Sequence, residues 1–395
     1  MSAPADLFLP APFSSTAPPG HYQLLGADCS YYTAKVSAVL RYKRIPHVNV
    51  LATREVFTQA ILPRVGWPVI PVLITPQGET LQDTSEMFDH LEASYPQPAT
   101  LPADAPGRFL CYWLELLFDE WVKVPALHYR WNHDNAFAIA EFGRNNDPTR
   151  SPGEQLAVGE KIATRFRGWL GGLGINAASI PTIEAEYLRL LALLERHFAQ
   201  HDFLLGSAPT LADFALYGPF HAHLYRDPNS GRLLRAQAPQ VARWVERMGE
   251  PPPITPLPTR LELPATLLPA LRQLARDYLP VLAAQRAALA SWLGSHETEE
   301  IPRDLGPYPV VFGRSTAEEI DTTRALFTYD QWMLERCLAV FTQANPQTQG
   351  AIARLCERLG APTLPALAGP PLLARRRFRL VRAEGAAQAA APVGR

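Results

Sequence analysis

The stretch YQLLGADCSYYTAKVSAVLRYKRIPHVNVL, Tyr22–Leu51, reads as strand, helix, strand. YQLLG is a short apolar run of strand length, Val36, Val39 and Leu40 recur at helical spacing within Tyr32 to Arg44, and HVNVL is again strand-like. Two strands joined by a helical crossover pair in parallel. The turn into the helix is crowded with hydroxyls and one thiol: Cys29, Ser30, Tyr31, Tyr32 and Thr33. A helix N-terminus carries unpaired N–H groups and a partial positive charge, which together suit an anion such as a thiolate. A plainer reading stays open, in which Asp28 or Ser30 simply caps the helix.

Working outward, Arg54 to Leu62 reads as a second helix, and VIPVLI and ETLQ as strands joined through TPQG, with Gly78 suited to a hairpin turn. Thr84 to Tyr95 places Met87, Phe88 and Leu91 at helical spacing before the stop PQPATLP. This order describes a compact α/β layer. From about Pro106 to Gly249 helical patterns take over, and Thr210 and Asp213 in TLADFAL form a capping-box-like pair at one helix entrance. The prolines of EPPPITPLP, Glu250–Pro258, mark a linker. Beyond it come helical patterns at about 264–296 and 328–360, with PYPVVFGRS, ALFTY and RRRFRLVRA alternating as short strands.

Lys plus Arg number 37 and Asp plus Glu 38, so the net charge of −1 offers no overall field to draw nucleic acid or an anionic membrane. Neither is expected as a partner. No apolar run approaches the roughly 18 residues that span a bilayer, and the proline-broken first twenty residues read as a flexible arm. The four cysteines, Cys29, Cys111, Cys337 and Cys356, show no metal or disulfide spacing, which fits a reducing, cytoplasmic setting.

At three places, in order, the chain resembles the cytosolic glutathione S-transferase family. Ser30, Lys35 and Val36 match the spacing of the catalytic turn of many bacterial members. VIPVL resembles the Val-Pro strand entrance whose proline peptide is cis in the family. LQDTSEMFDHLE is similar to the Glu-Ser helix entrance, with Asp83 and Thr84 at the pair's positions. Two of these have local readings of their own: VIPVL as an edge strand with a proline, and Asp83 as a simple N-cap. DEWVKVPALHYRW and LFTYDQWMLER further resemble a bacterial subgroup with a long C-terminal addition.

The resemblance implies an α+β chain: a flexible arm over 1–20, a thioredoxin-like glutathione-binding domain over 21–97, and an all-α transferase domain over 104–250. A proline-rich linker over 251–263 then leads to a mostly helical extension with a small β-sheet over 264–395. It implies glutathione as co-substrate, a small apolar electrophile as partner, and the homodimer common in the family; a glutathione-dependent isomerase or reductive enzyme on the same site, and a non-catalytic transferase-like interaction protein, stay open as alternatives. Ser30 becomes the donor to the glutathione thiolate, with Cys29, Tyr31 and Tyr32 as alternatives in the same turn. Ile70 and Pro71 would meet the cysteinyl part, and Asp83 and Thr84 the γ-glutamyl end. Thr210 and Asp213 are assigned to folding.

An electrophile would rest on aromatic residues of the helical domain, the candidates being Tyr112, Trp113, Trp121, His128, Tyr129 and Trp131. Thiol activation of this kind needs no metal, and none is expected. His197 and His201 lie four apart at a helix end, where a positive charge suits the dipole better than an ion. The imidazoles of His221 and His223 diverge on a helix. GGLG at 171–174 lacks the phosphate-loop pattern, and RRRFRLVR reads as a strand burying Phe378 and Leu380 on one face.

Overall fold

β1 (Tyr22–Gly26) and β2 (His47–Leu51) occupy the two apolar runs that flank helix α1 (Tyr31–Tyr42), and they pair in parallel with Tyr22 opposite His47 and Gly26 opposite Leu51. The computed structural model that establishes this describes Phe8 and residues 17–250, 253–316 and 318–384. The arm expected over 1–20 therefore lies largely outside the described residues. β3 (Val72–Ile74) adds to β1 antiparallel and β4 (Thr80–Gln82) to β3, giving the order β2-β1-β3-β4.

The strand expected over VIPVLI begins only at Val72, because Pro71 has no N–H to give to a ladder. Gly78 takes the hairpin turn at a φ of 86°, a left-handed conformation that a side chain disfavours. Helix α2 (Thr84–Ser94) follows β4 directly. Lys43, at the end of α1, is buried; its ammonium donates to Tyr95 O and Pro98 O at 2.7 Å and pairs with Glu92 at 2.8 Å. That knot ties the ends of α1 and α2 to the chain leaving the sheet.

The chain forms two compact units, each assembled from alternating stretches. The first comprises residues 1–100, 126–169 and 213–256 and contains the sheet. Its helices Asn135–Asn146 and Pro152–Arg167 meet backbone to backbone at glycines: a Cβ on Gly143 would stand 1.9 Å from Gln155 O, and one on Gly159 2.0 Å from Ile139 O. The Ser151–Glu154 capping box opens the second of these helices.

The second unit comprises 101–125, 170–212 and 257–395. The helix Ala105–Leu116 packs in it with Thr328–Thr342, where Arg336 pairs with Glu115 at 2.6 Å and the Cys337 thiol lies 3.5 Å from Phe109 O. Two hairpins replace the single small sheet expected: β5 (Asp304–Phe312) with β6 (Ile320–Phe327), and β7 (Leu373–Arg376) with β8 (Arg379–Arg382). RRRFRLVR is thus corrected from one strand to a hairpin. It reverses at Arg377 and Phe378, with φ of 46° and 67°, the signs that a two-residue turn requires. Phe378 sits in the turn, so it shares no buried strand face with Leu380.

Candidate active site

Sheet register brings the three family-like stretches to one end of the first unit. Leu25 stands opposite Val72, and Val72 opposite Gln82. One step beyond these residues are Gly26, Pro71 and Asp83. Neighbouring strands lie about 4.8 Å apart, so the turn to Ser30, the Ile70–Pro71 peptide and the start of α2 are adjacent. The Ile70–Pro71 peptide is cis.

Of the two caps open in the sequence, the helix uses Ser30: its φ is −90°, its ψ 118°, and its Oγ accepts from Thr33 N at 3.3 Å. A hydroxyl that accepts from an amide still has its own O–H to donate, and Ser30 is partly exposed. The first turn of α1 sits directly on the end of β1, since a Cβ on Gly26 would come within 2.5 Å of the Thr33 side chain.

Cys29 proves to be a packing residue. It is 2% exposed, its sulfur lies 3.5 Å from Asn145 Nδ2, and burial pushes its thiol up to about 11. Enclosure of this kind disfavours the thiolate and shields the sulfur from a ligand. Tyr31 is buried as well, its ring stacked on Tyr32 at 4.3 Å and edge-on to His223 at 5.9 Å. Ser30 and Tyr32 are the partly exposed members of the turn.

Asp83 holds a φ of 88° and a ψ of 126°, and its Oδ1 accepts from Ser85 N at 2.9 Å. Strain of this sort in a non-glycine residue concentrates at functional sites. Thr84 is buried in the seam between α1 and α2 with Lys35, Val36 and Phe88, whereas Asp83 and Ile70 are half-buried.

The residue that sequence reasoning missed is Arg130. It is 2% exposed and donates from Nε and Nη2 to the two oxygens of Asp227 at 2.6 and 2.7 Å, from Nη1 to Cys29 O at 2.7 Å, and from Nη2 to Ala222 O at 2.5 Å. It thereby grips the backbone immediately before Ser30. Burial raises the Asp227 pKa, and the Arg130 hydrogen bonds pull it back. Asp134 holds the next helix start through Asn229 N at 2.8 Å and Ser230 N at 3.0 Å. The available signal was a cation inside the aromatic run HYRW, because a charge surrounded by apolar neighbours must find a buried partner.

The six aromatic candidates divide between the units: Tyr112, Trp113 and Trp121 belong to the second, His128, Tyr129 and Trp131 to the first. All but Tyr112 are buried. Trp113 is fully enclosed, and Trp131 stacks on Phe166 at 5.4 Å. His128 is 2.8 Å from Asn132 Nδ2, and Tyr129 stacks on His133. The Tyr112 ring carries the Arg336 guanidinium at 4.7 Å, and Trp121 stacks on Tyr278 at 4.8 Å. Trp113, His128, Tyr129 and Trp131 fill interiors, where large apolar area stabilises most, while Trp121 also lines a cavity of the second unit and Tyr112 is partly exposed. Both ring nitrogens of His197 are occupied, Nδ1 by Thr266 Oγ1 at 2.9 Å and Nε2 by Phe203 O at 3.3 Å, and burial lowers its pKa to about 4. His197 is a packed core histidine that leaves no lone pair for an ion beside His201.

Residues 24–99 match the glutathione S-transferase N-terminal domain family, and residues 177–247 match the glutathione S-transferase C-terminal domain family. Solved structures with a similar fold include a glutathione S-transferase from Methylobacterium radiotolerans in complex with glutathione sulfonate, 23% identical, covering 61% of this chain and all of that one at a TM-score of 0.36. The β-etherase LigF from Sphingobium is 17% identical and covers 58% of this chain and 94% of that one, at 0.43. A glutathione S-transferase from Rhodospirillum rubrum is 17% identical and covers 62% and 96%, at 0.38. A comparison with curated proteins gives no match. The chain belongs to the glutathione S-transferase family, with a thioredoxin-like N-terminal layer, a helical region and an additional region of helices and small sheets. Among the described residues no helix is long and apolar enough to cross a membrane.

Proposed function

We propose that the chain is a glutathione-dependent transferase in which Ser30 Oγ donates to the glutathione sulfur and readies it for attack on a small apolar electrophile. The observation that carries this reading is the register that sets Ser30, the Ile70–Pro71 peptide and Asp83 at one end of the sheet. Free thiol has a pKa near 8.5, and lowering it by one or two units takes about 1.4–2.7 kcal/mol of preferential anion stabilisation. A charge-assisted hydroxyl bond contributes about 1.5–3 kcal/mol and a helix N-terminus about 0.3–1 kcal/mol, so Ser30 and α1 suffice in combination.

In this proposal the Ile70 backbone receives the cysteinyl part of glutathione. Asp83 faces the γ-glutamyl ammonium, and the Thr84 hydroxyl with the start of α2 meets its carboxylate. A cytoplasmic location and a homodimer go with the same proposal. Isomerisation or reductive removal of a substituent would use the same sulfur site without a stable thioether product. The burial of Cys29 speaks against any such route through a mixed disulfide at that thiol.

Immobilised glutathione should retain the protein, and titration of bound glutathione by thiolate ultraviolet absorbance should give a lower pKa than in water. Ser30→Ala should return that pKa toward the free value while the chain stays folded. A bound thiol titrating as it does in water would refute the proposal.

A further inference from the structure

The second unit contains a half-open cavity of about 40 Å³ between the helices Ile180–Phe198 (which supplies Glu186) and Leu268–Ser295 (which supplies Gln273 and Asp277), the Trp121–Pro125 segment and the end of β5. Its walls include Val122, Ile183, Leu274 and the rings of Trp121 and Phe312, which meet edge-on at 5.4 Å. Its polar side carries Glu186, Gln273, Asp277 and Tyr187. Gln273, 4% exposed, donates its amide N–H groups to the backbone oxygen of Glu186 at 2.8 Å and to that residue's carboxylate.

Two acceptors on the nitrogen fix which way the amide faces, and Gln273 Oε1 is then left buried with no partner among the described residues; Glu186 Oε1 is buried too, with the Ser315 backbone N–H a further donor to that carboxylate. Asp277 is held differently, accepting from Gly313 N and Arg314 N at 3.2 Å. Gln273 Oε1 and Glu186 Oε1 thus call for a donor, and Glu186 and Asp277 are both carboxylates. Burial, with Asp277 adding to it, pushes Glu186 up to about 7, and Gln273, Arg189 and the Ser315 backbone N–H pull it back; burial likewise pushes Asp277 to about 6, against the Gly313 and Arg314 backbone N–H groups and the charges of Arg314 and Arg276. Carboxylates so placed gain from a cation that brings its own N–H donors.

We propose that this cavity binds the protonated head of a small aliphatic amine, its N–H groups donating to Gln273 Oε1 and Glu186 Oε1 and its alkyl chain resting against Trp121, Leu274 and Phe312. A water needs roughly 10–15 Å³ of such space, so the cavity takes an ammonium head and its first carbons, and a longer chain leaves by the open side. The acceptors would equally hold ordered water, and the experiment separates the two. The site involves no residue of the glutathione proposal, so either can fail alone.

Calorimetric titration of the full chain at pH 8 with n-butylamine, n-butanol and butyrate reads the site. The amine is expected to bind with millimolar or tighter affinity, the alcohol at least tenfold more weakly, and butyrate not at all. Glu186→Gln, nearly isosteric, should weaken the amine at least tenfold while retention on immobilised glutathione is unchanged. Should that variant fold poorly, the wild-type chain serves: amine affinity should fall as pH drops from 8 to 6 and Glu186 and Asp277 take up protons. No amine binding at tens of millimolar, equal binding of the alcohol, or an affinity indifferent to both pH and Glu186→Gln would mean a water-filled cavity only and would overturn the proposal.

Discussion

Replacing Arg130 by methionine removes the four hydrogen bonds that hold Asp227, Cys29 O and Ala222 O while roughly keeping the volume of the stem. Arg130 and Asp227 are both enclosed, at 2% and 0% exposure. Breaking such a buried pair from one side costs about 3–5 kcal/mol, because the remaining charge is left uncompensated. Two orphaned carbonyls would add about 1–3 kcal/mol each if nothing relaxed, but Asp227 can take up a proton instead, so about 4–5 kcal/mol is expected. Urea denaturation of the parent, Arg130→Met, Asp227→Asn and the double variant forms a cycle, in which the pair should show a coupling of at least about 2 kcal/mol. Glutathione retention should weaken in Arg130→Met, since the backbone before Ser30 has lost its clamp. A variant within about 1 kcal/mol of the parent, or a coupling near zero, would refute the role given to Arg130.

Ser30→Ala should cost about 0.5–2 kcal/mol through the lost cap, besides the rise in the bound thiol pKa, whereas Ser30→Thr should keep most of both; calorimetric melting and thiolate absorbance test this. Asp83→Asn, which can still accept from Ser85 N, should leave the melting temperature nearly unchanged yet weaken glutathione at least tenfold by titration. Gly159→Ala should destabilise by about 1–3 kcal/mol or more through a clash with Ile139 O, against a helix-propensity gain of about 1 kcal/mol; a more stable variant in urea would contradict the close helix contact. Because burial lowers the pKa of His197 to about 4, the folded chain binds fewer protons than the unfolded one between about 4 and 6.5. Stability should therefore fall as pH drops through that window, less steeply in His197→Gln, as urea midpoints measured across the range will show.

What was legible in the sequence was what depends on local periodicity. The runs YQLLG and HVNVL fold as the strands read from them, and the helix between carries its apolar stripe where Val36, Val39 and Leu40 put it. The placement of Ser30 and Asp83 at helix entrances follows from capping chemistry, which is also local. Exposure is not local. Cys29 and Ser30 are neighbours in the chain, yet one faces Asn145 and the other remains reachable, and only the arrival of residues more than a hundred positions later decides which. The aromatic run near Trp121 could not be divided for the same reason, since a ring that lines a cavity, as Trp121 does, and one that fills a core, as Trp113 does, have the same composition. Arg130 was overlooked because its partners come from two distant stretches, Cys29 about a hundred residues before it and Ala222 with Asp227 more than ninety after it.

The alternation of the two units along the chain bears on how this protein could be shortened. Cutting after the proline-rich run would strip the second unit of everything from residue 257 onward and strand 101–125 and 170–212 with their apolar sides bare. Glu115 would lose its counter-ion Arg336 in the same stroke. The final third of the chain is consequently masonry, not ornament: a gene ending near the linker should yield insoluble product, not a minimal enzyme.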